Sequence, residues 1–174
     1  FDDVDAVLHW HPSSSNAANA ESSNSNKSAK FRFTGISAHA AGSPHKGRSA
    51  LDGVEAMNLM VNMMREHIPQ ESRIHYVITK GGLAPNVIPD LAEVYYYVRH
   101  PRREKVQEIF DWVVEAAKGA AVGTQTKVSY EVMHGNYSKL PNQTLQKVMH
   151  KNLLERGGIQ YSQEEIEYAQ KIHK

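Results

Sequence analysis

The sequence predicts an α+β fold in which a four-stranded antiparallel sheet carries two helices on one face, and three observations point to it. Two long segments repeat apolar residues every three or four positions, the period of a half-buried helix. Four short segments, rich in β-branched and aromatic residues, read as strands. Between residues 29 and 133 these segments follow the order β-α-β-β-α-β, and that doubled β-α-β half is the split arrangement of a ferredoxin-like sandwich.

The elements can be justified in turn. Residues 4–10, Val-Asp-Ala-Val-Leu-His-Trp, read as an extra N-terminal strand closed by Pro12, which has no N–H to give to a ladder. Residues 13–26 are Ser, Asn and Ala with little that could be buried, so they are expected to be a linker or crossover. In 29–34, Phe31 and Phe33 alternate with Lys30 and Arg32, as in a strand with one face in a core. Over 48–68 a stripe of Leu51, Val54, Met57, Val61, Met64 and Ile68 marks the first helix, and Pro69 ends it. Residues 73–80 and 93–99 are the middle strands, with Gly81, Gly82, Pro85 and Pro89 punctuating the loop between them. Pro101 precedes a second helix over 102–122, whose apolar side is Val106, Ile109, Phe110, Val113 and Ala117. The fourth strand is 127–133. Beyond it, 142–156 reads as a helix stopped by Gly157 and Gly158, and Ser162-Gln-Glu-Glu opens another with a capping-box pattern. The expected organisation is an edge strand over 1–12, a linker over 13–28, the sandwich domain over 29–133 and further helices over 134–174.

Composition narrows the function classes. Twenty Lys and Arg against 19 Asp and Glu leave a net charge of +1, so no strong field directs the chain to nucleic acid or to a membrane surface. No apolar run is long enough to span a bilayer. The absence of Cys excludes disulfides and thiolate ligands, points to a reducing, cytoplasmic setting, and leaves the ten His as the candidates for metal or proton chemistry. No phosphate loop and no nucleophile elbow occur.

Three loop clusters place one polar side chain among small, Gly or Pro residues, which lets a backbone approach a ligand. They are Leu8-His9-Trp10-His11-Pro12, the segment from Gly35 through Ser37-Ala38-His39-Ala40-Ala41-Gly42-Ser43-Pro44-His45, and Gly81-Gly82-Leu83-Ala84-Pro85-Asn86-Val87-Ile88-Pro89-Asp90. Together with Tyr97-Val98-Arg99-His100-Pro101 and in this order, they resemble the dimeric, two-zinc amidohydrolases and peptidases, a family that includes aminoacylases, carboxypeptidases and auxin-conjugate hydrolases. Within it, Trp10-His11-Pro12, the Ser37 to His45 motif and Gly47-Arg48-Ser49-Ala50-Leu51-Asp52 are most similar to the aminobenzoyl-glutamate hydrolase B-type group.

The resemblance implies a lid or dimerisation domain of a metal-dependent amidohydrolase that cleaves an N-acyl or aroyl amino acid. By it His39 is the lid histidine that donates to the scissile carbonyl oxygen in the partner's active site, where an aimed donor helps the charged transition state more than the substrate. On residue type alone His39 would be a loop His capping a turn. Asn86 corresponds to a substrate-binding asparagine and Arg99 to the arginine that grips a substrate carboxylate, a task suited to a planar fork of donors. Asn86 as a plain turn former and Arg99 as a solvated strand-end charge are the competing readings. His11 corresponds to a metal ligand, with His9 as its rival on the same strand face, and His45 has at most a loop-ordering role. Two divalent ions, Zn or Mn, are implied for the whole enzyme and none held stably by this segment alone, which is expected to be inactive. The expected partners are a second copy of the chain and a small acyl-amino-acid substrate. A free-standing ferredoxin-like dimer that binds a small ligand is the alternative. Tyr95, Tyr96 and Tyr97 are expected to pack within the sheet, and Met57, Met60, Met63 and Met64 to fill the core or a dimer face.

Overall fold

The computed structural model describes residues 2–173, and they fall into two units, Ser22–Leu140 and a second formed by the residues on either side of it. The first unit is the sandwich. Its elements are β1 (Ser25–Thr34), α1 (Ala50–Met64), β2 (Arg73–Lys80), β3 (Leu91–His100), α2 (Arg103–Gly123) and β4 (Lys127–Asn136), in the predicted order. All neighbouring strands are antiparallel and the sheet order is β2-β3-β1-β4, so each helix crosses between strands that do not touch.

The alternation of the strands decides which face is buried. Ala29, Phe31 and Phe33 of β1 and Ala92, Val94, Tyr96 and Val98 of β3 point to the helices and are fully buried. Against them α1 sets Val54, Met57, Val61 and Met64, and α2 sets Val106, Ile109, Phe110, Val113 and Ala117. The Phe31 ring meets Tyr96 edge-on at 5.9 Å and Phe110 at 6.3 Å, contacts that add to their area burial. Tyr96 donates its hydroxyl to Asn58 on α1, so its polar tip is satisfied inside the core.

Helix α1 begins at Ser49, whose hydroxyl accepts from the Asp52 amide at 3.1 Å, and a 3-10 turn over Arg65–His67 closes it before Pro69. Before α2 the cap comes from outside the helix, the His100 Nδ1 accepting from the Arg102 amide at 2.9 Å.

β3 runs Leu91–His100 rather than 93–99, and two other strand ends lie further from expectation, for one reason. β1 starts at Ser25 rather than 29, inside the Ser/Asn run, and β4 continues past Met133 to Asn136. The two extensions pair with each other across a bulge at Ser28/Ala29, and the Ser25 hydroxyl donates to the Asn136 carbonyl at 2.8 Å. A polar segment can thus be strand when a neighbouring backbone supplies its ladder.

The expected strand over 4–10 does not form. These residues are exposed and have no ladder partner among the described residues, and a lone extended segment gains nothing from its alternation. In the same unit α3 (Gln143–Arg156) is capped by Asn142, whose side chain accepts from the Leu145 amide, and α4 (Gln163–Ile172) by Ser162 with the full capping box. Neither helix buries a residue.

Candidate functional site

Two loops meet beyond the end of the sheet where β1 stops and β3 begins. The loop leaving β1 is joined to the loop entering β3 by backbone bonds: Gly35 N–H to Asp90 O at 2.8 Å, Ile88 N–H to Ala38 O at 3.0 Å and Ala40 N–H to Asn86 O at 3.0 Å. His39 and Val87 form an isolated bridge within this ladder. A second bridge, Ile36 to Arg48, folds the first loop back on itself. Gly35 is required there, because a Cβ would lie 1.9 Å from the Arg48 carbonyl oxygen, and Gly82 turns the other loop with φ +105°. The loops line a shallow cleft of about 590 Å³ whose walls include Ala40, Pro44, Asp52, Gly82 and Pro85.

His39 stands exposed on this ladder, and its Nδ1 accepts from the amides of Gly42 at 2.9 Å and Ala41 at 3.2 Å. Two donors on one nitrogen make it the acceptor, so the neutral ring carries its proton on Nε2 and offers that N–H outward. The turn-capping and donor readings of His39 are therefore compatible: one nitrogen orders the loop and the other makes no hydrogen bond among the described residues. Asn86 gives its backbone to the ladder, while its exposed side chain makes no hydrogen bond among the described residues. His45 lies exposed in the 3-10 turn Pro44–Lys46, and only its carbonyl is used, accepting from Arg48 Nη1 at 3.2 Å.

Arg99 is elsewhere. It sits near the far end of β3, eight residues beyond Leu91, and at about 3.3 Å per residue that is about 26 Å of strand away from the His39 loop. It projects from the sheet face opposite the helices, exposed, with its guanidinium carbon 5.3 Å from the centre of the Tyr97 ring. Tyr97 in turn meets His134 Nε2 at 2.6 Å, and its hydroxyl lies 3.4 Å from that of Tyr95, which is 3.3 Å from Ser28 Oγ. Only Tyr96 of the three tyrosines belongs to the core; Tyr95 and Tyr97 form a hydrogen-bonded row on the open face. This row was not anticipated from the sequence, although strict alternation along β3 places Tyr95, Tyr97 and Arg99 together.

Further along the same face, Glu93 is buried and held by Arg32 at 2.6 Å, Thr79 at 2.8 Å and Lys30 at 3.5 Å. Burial pushes its carboxyl up, but the bonds from Arg32 and Thr79 and the charge of Lys30 outweigh burial and hold it below the usual range.

His11 belongs to the second unit. It is exposed, with Nδ1 2.8 Å from the Pro12 carbonyl oxygen, and without a strand the argument that His9 shares its face lapses. Among the described residues no three His, Asp or Glu side chains form a group that could hold a metal ion, so a two-metal centre does not fit the residues present. Among them too, no helix is long and apolar enough to cross a membrane.

Comparison with known proteins agrees with this architecture. The chain is 44% identical over 173 residues to the B-type chain of the p-aminobenzoyl-glutamate hydrolase of Escherichia coli (strain K12), covering 99% of this chain and 36% of that protein. It is 31% identical over 146 residues to a Xaa-Arg dipeptidase of Mus musculus, covering 83% and 34%. The chain therefore spans about a third of the length of these relatives. Among solved structures, an aminobenzoyl-glutamate utilization protein from Klebsiella pneumoniae superposes with a TM-score of 0.62 at 22% identity, over 79% of this chain and 35% of that one. A hydantoinase/carbamoylase family amidase from Burkholderia vietnamiensis gives 0.67 at 17%, over 78% and 33%, which speaks for the fold alone. Residues 22–125, most of the sandwich with its joined loops and its Arg99 strand, match the peptidase dimerisation domain, and the chain belongs to that family.

Proposed function

We propose that this chain is the lid of a dimeric, metal-dependent amidohydrolase that cleaves an N-acyl or aroyl amino acid, and that each active site of that enzyme draws on two lids. The observation that carries the reading is the separation of His39 and Asn86 from Arg99. About 26 Å of strand lies between them, too far for one small substrate to touch all three within one chain. If all three serve one substrate, His39 and Asn86 come from one protomer and Arg99 from the other.

In this reading His39 Nε2–H meets the scissile carbonyl oxygen as it gains charge, held in aim by the Ala41 and Gly42 amides on Nδ1. Asn86 offers a free amide beside it. Arg99, backed by the Tyr97 ring, takes a carboxylate of the substrate at the other lid's far end. The bound metal ions would supply a polarised carbonyl and an activated water, and their ligands other than His11 would lie outside this chain. The tail helices and residues 1–12 are then read as parts that pack on a catalytic domain. The Cys-free composition supports a cytoplasmic setting.

Self-association of two lids is supported at β2. Its outer edge is unpaired among the described residues and exposes Val77, and the C-terminal half of α1, tied to β2 by the Arg65 bond to the Ile74 carbonyl, exposes Leu59 and Met63. The test is complementation in the full-length enzyme. His39→Ala and Arg99→Ala should each lower kcat/KM by about 10²- to 10³-fold, as expected when an oxyanion donor or a carboxylate fork is removed. Protomers of the two variants, mixed and allowed to exchange, should recover about a quarter of wild-type activity, because half the dimers are mixed and each mixed dimer holds one intact site. Failure to recover any activity after proven exchange would exclude the shared site.

A further inference from the structure

Register, rather than motif, singles out one more residue. Arg73, the first residue of β2, lies directly opposite Arg99 of β3. The flanking pair, Ile74 and Val98, is buried beneath the helices, so both arginines project from the open face. Like charges set directly across a ladder are unfavourable unless something compensates them. Among the described residues neither guanidinium has a carboxylate within ion-pairing distance. Arg73 Nη1 rests on the carbonyls of Gln70 at 2.8 Å and Ser72 at 2.6 Å, neutral groups that leave its charge in place. The acids of this face, Glu93 and Glu131, are both engaged by Arg32 farther along the sheet. Around the pair stand Tyr97, His75, His134 and, across from Arg99 on β1, Asn26, none of them a carboxylate.

We propose that Arg73 and Arg99 form a two-arginine clamp for a dicarboxylic amino-acid moiety, each fork taking one carboxylate. The inference rests on the reading of Arg99 as a substrate-carboxylate residue and extends it: Arg73 decides between amino acids with one carboxylate and those with two. Facing residues of adjacent antiparallel strands have their Cα atoms about 5 Å apart, so two side chains stand abreast at a spacing that a short aliphatic chain between two carboxylates can bridge. A single carboxylate would leave one of the two charges uncompensated.

The clamp can be tested by NMR on the full-length enzyme, stripped of metal so that the probe is not cleaved, following the side-chain Nε–H signals of Arg73 and Arg99 during titration with N-acetyl-L-glutamate or N-acetyl-L-glutamine. The glutamate derivative should move both signals and bind about five- to tenfold more tightly, the worth of one exposed charge-assisted pair. Arg73→Gln should reduce that preference to within about twofold while Arg73→Lys retains part of it, the difference expected between losing a charge and losing only its fork. An unchanged amide spectrum in both variants will confirm that the sheet is intact. If Arg99 responds and Arg73 does not, or if the two ligands bind alike, the clamp is wrong and the role of Arg99 survives. If neither signal moves at saturating probe, both assignments fall.

Discussion

Helices α2 and α4 are opposites in what holds them. α4 has the better start, a reciprocal capping box in which the Ser162 hydroxyl accepts from the Glu165 amide and the Glu165 carboxylate accepts from the Ser162 amide. Its ten residues bury nothing, and Ile166, Tyr168 and Ile172 lie exposed. The Arg102 side chain does not cap α2, which is capped only by His100 from outside the helix, yet α2 sets nine buried residues against the sheet and α1. Local chemistry fixes where a helix begins; burial fixes how much the fold gains from it. The same contrast separates the sandwich from the second unit as a whole, and it ranks what substitutions should do.

The largest effect belongs to the core. Phe110 of α2 is 1% exposed and packs against Phe31 and Tyr130. Phe110→Ala should destabilise the sandwich by about 3–5 kcal/mol in denaturant unfolding, from lost burial and the cavity left behind. Ile166→Ala in α4, removing an apolar side chain that is already exposed, should change the same transition by less than about 0.5 kcal/mol. Comparable losses from the two would break the distinction drawn between the helices.

A second comparison uses two carboxylates that are both held below their usual range. Glu93 is buried between Arg32, Lys30 and Thr79, and Glu165 is exposed at the α4 cap. A carboxyl whose folded pKa is depressed contributes stability that is complete above its unfolded pKa and is lost as pH falls through the folded value. Acidification below the ordinary Glu range should therefore weaken the sandwich through Glu93, and only the first turn of α4 through Glu165. Glu93→Gln should cost about 1–2 kcal/mol at neutral pH, reduced by the partial exposure of Arg32, and should flatten the acid limb of a stability–pH curve. Glu165→Gln should leave that curve in place. An acid limb unchanged by Glu93→Gln would remove Glu93 from the account.

How much of this was legible depended on whether a property belongs to one segment or to two. The alternation of Phe31 and Phe33 and the stripe of Val54, Met57, Val61 and Met64 are one-segment properties, and they gave the core and the order of elements. The β2 limits were read correctly because charged and turn residues bound it on both sides. Pairing is a two-segment property, and there the sequence was mute. It did not reveal that 25–28 would join β1, that 4–10 would find no ladder, or that Arg73 would face Arg99. The site was legible as motifs and illegible as geometry. His39 and Asn86 could be named, but only the ladder between their loops puts them together, and only the length of β3 sets Arg99 apart. That last point was within reach, since a strand of known rise between Pro89 and Arg99 implies the separation.

The smallest effect is the sharpest probe of the opening contrast. Ser162→Ala removes the N-cap hydroxyl, and a lost cap costs a helix about 1 kcal/mol. In a helix such as α2, whose start is docked on a core, such a loss would be carried into the global unfolding transition. α4 itself buries no residue among the described residues, so the loss should stay local. Amide exchange of Glu165 and Ile166, whose N–H groups bond to the Ser162 hydroxyl and carbonyl, should quicken about fivefold, the equivalent of that cap energy, while the sandwich melts where it did before. If the sandwich transition moved together with the exchange rates, α4 would have to be coupled to that core, and the ranking of burial above capping at this helix would fail.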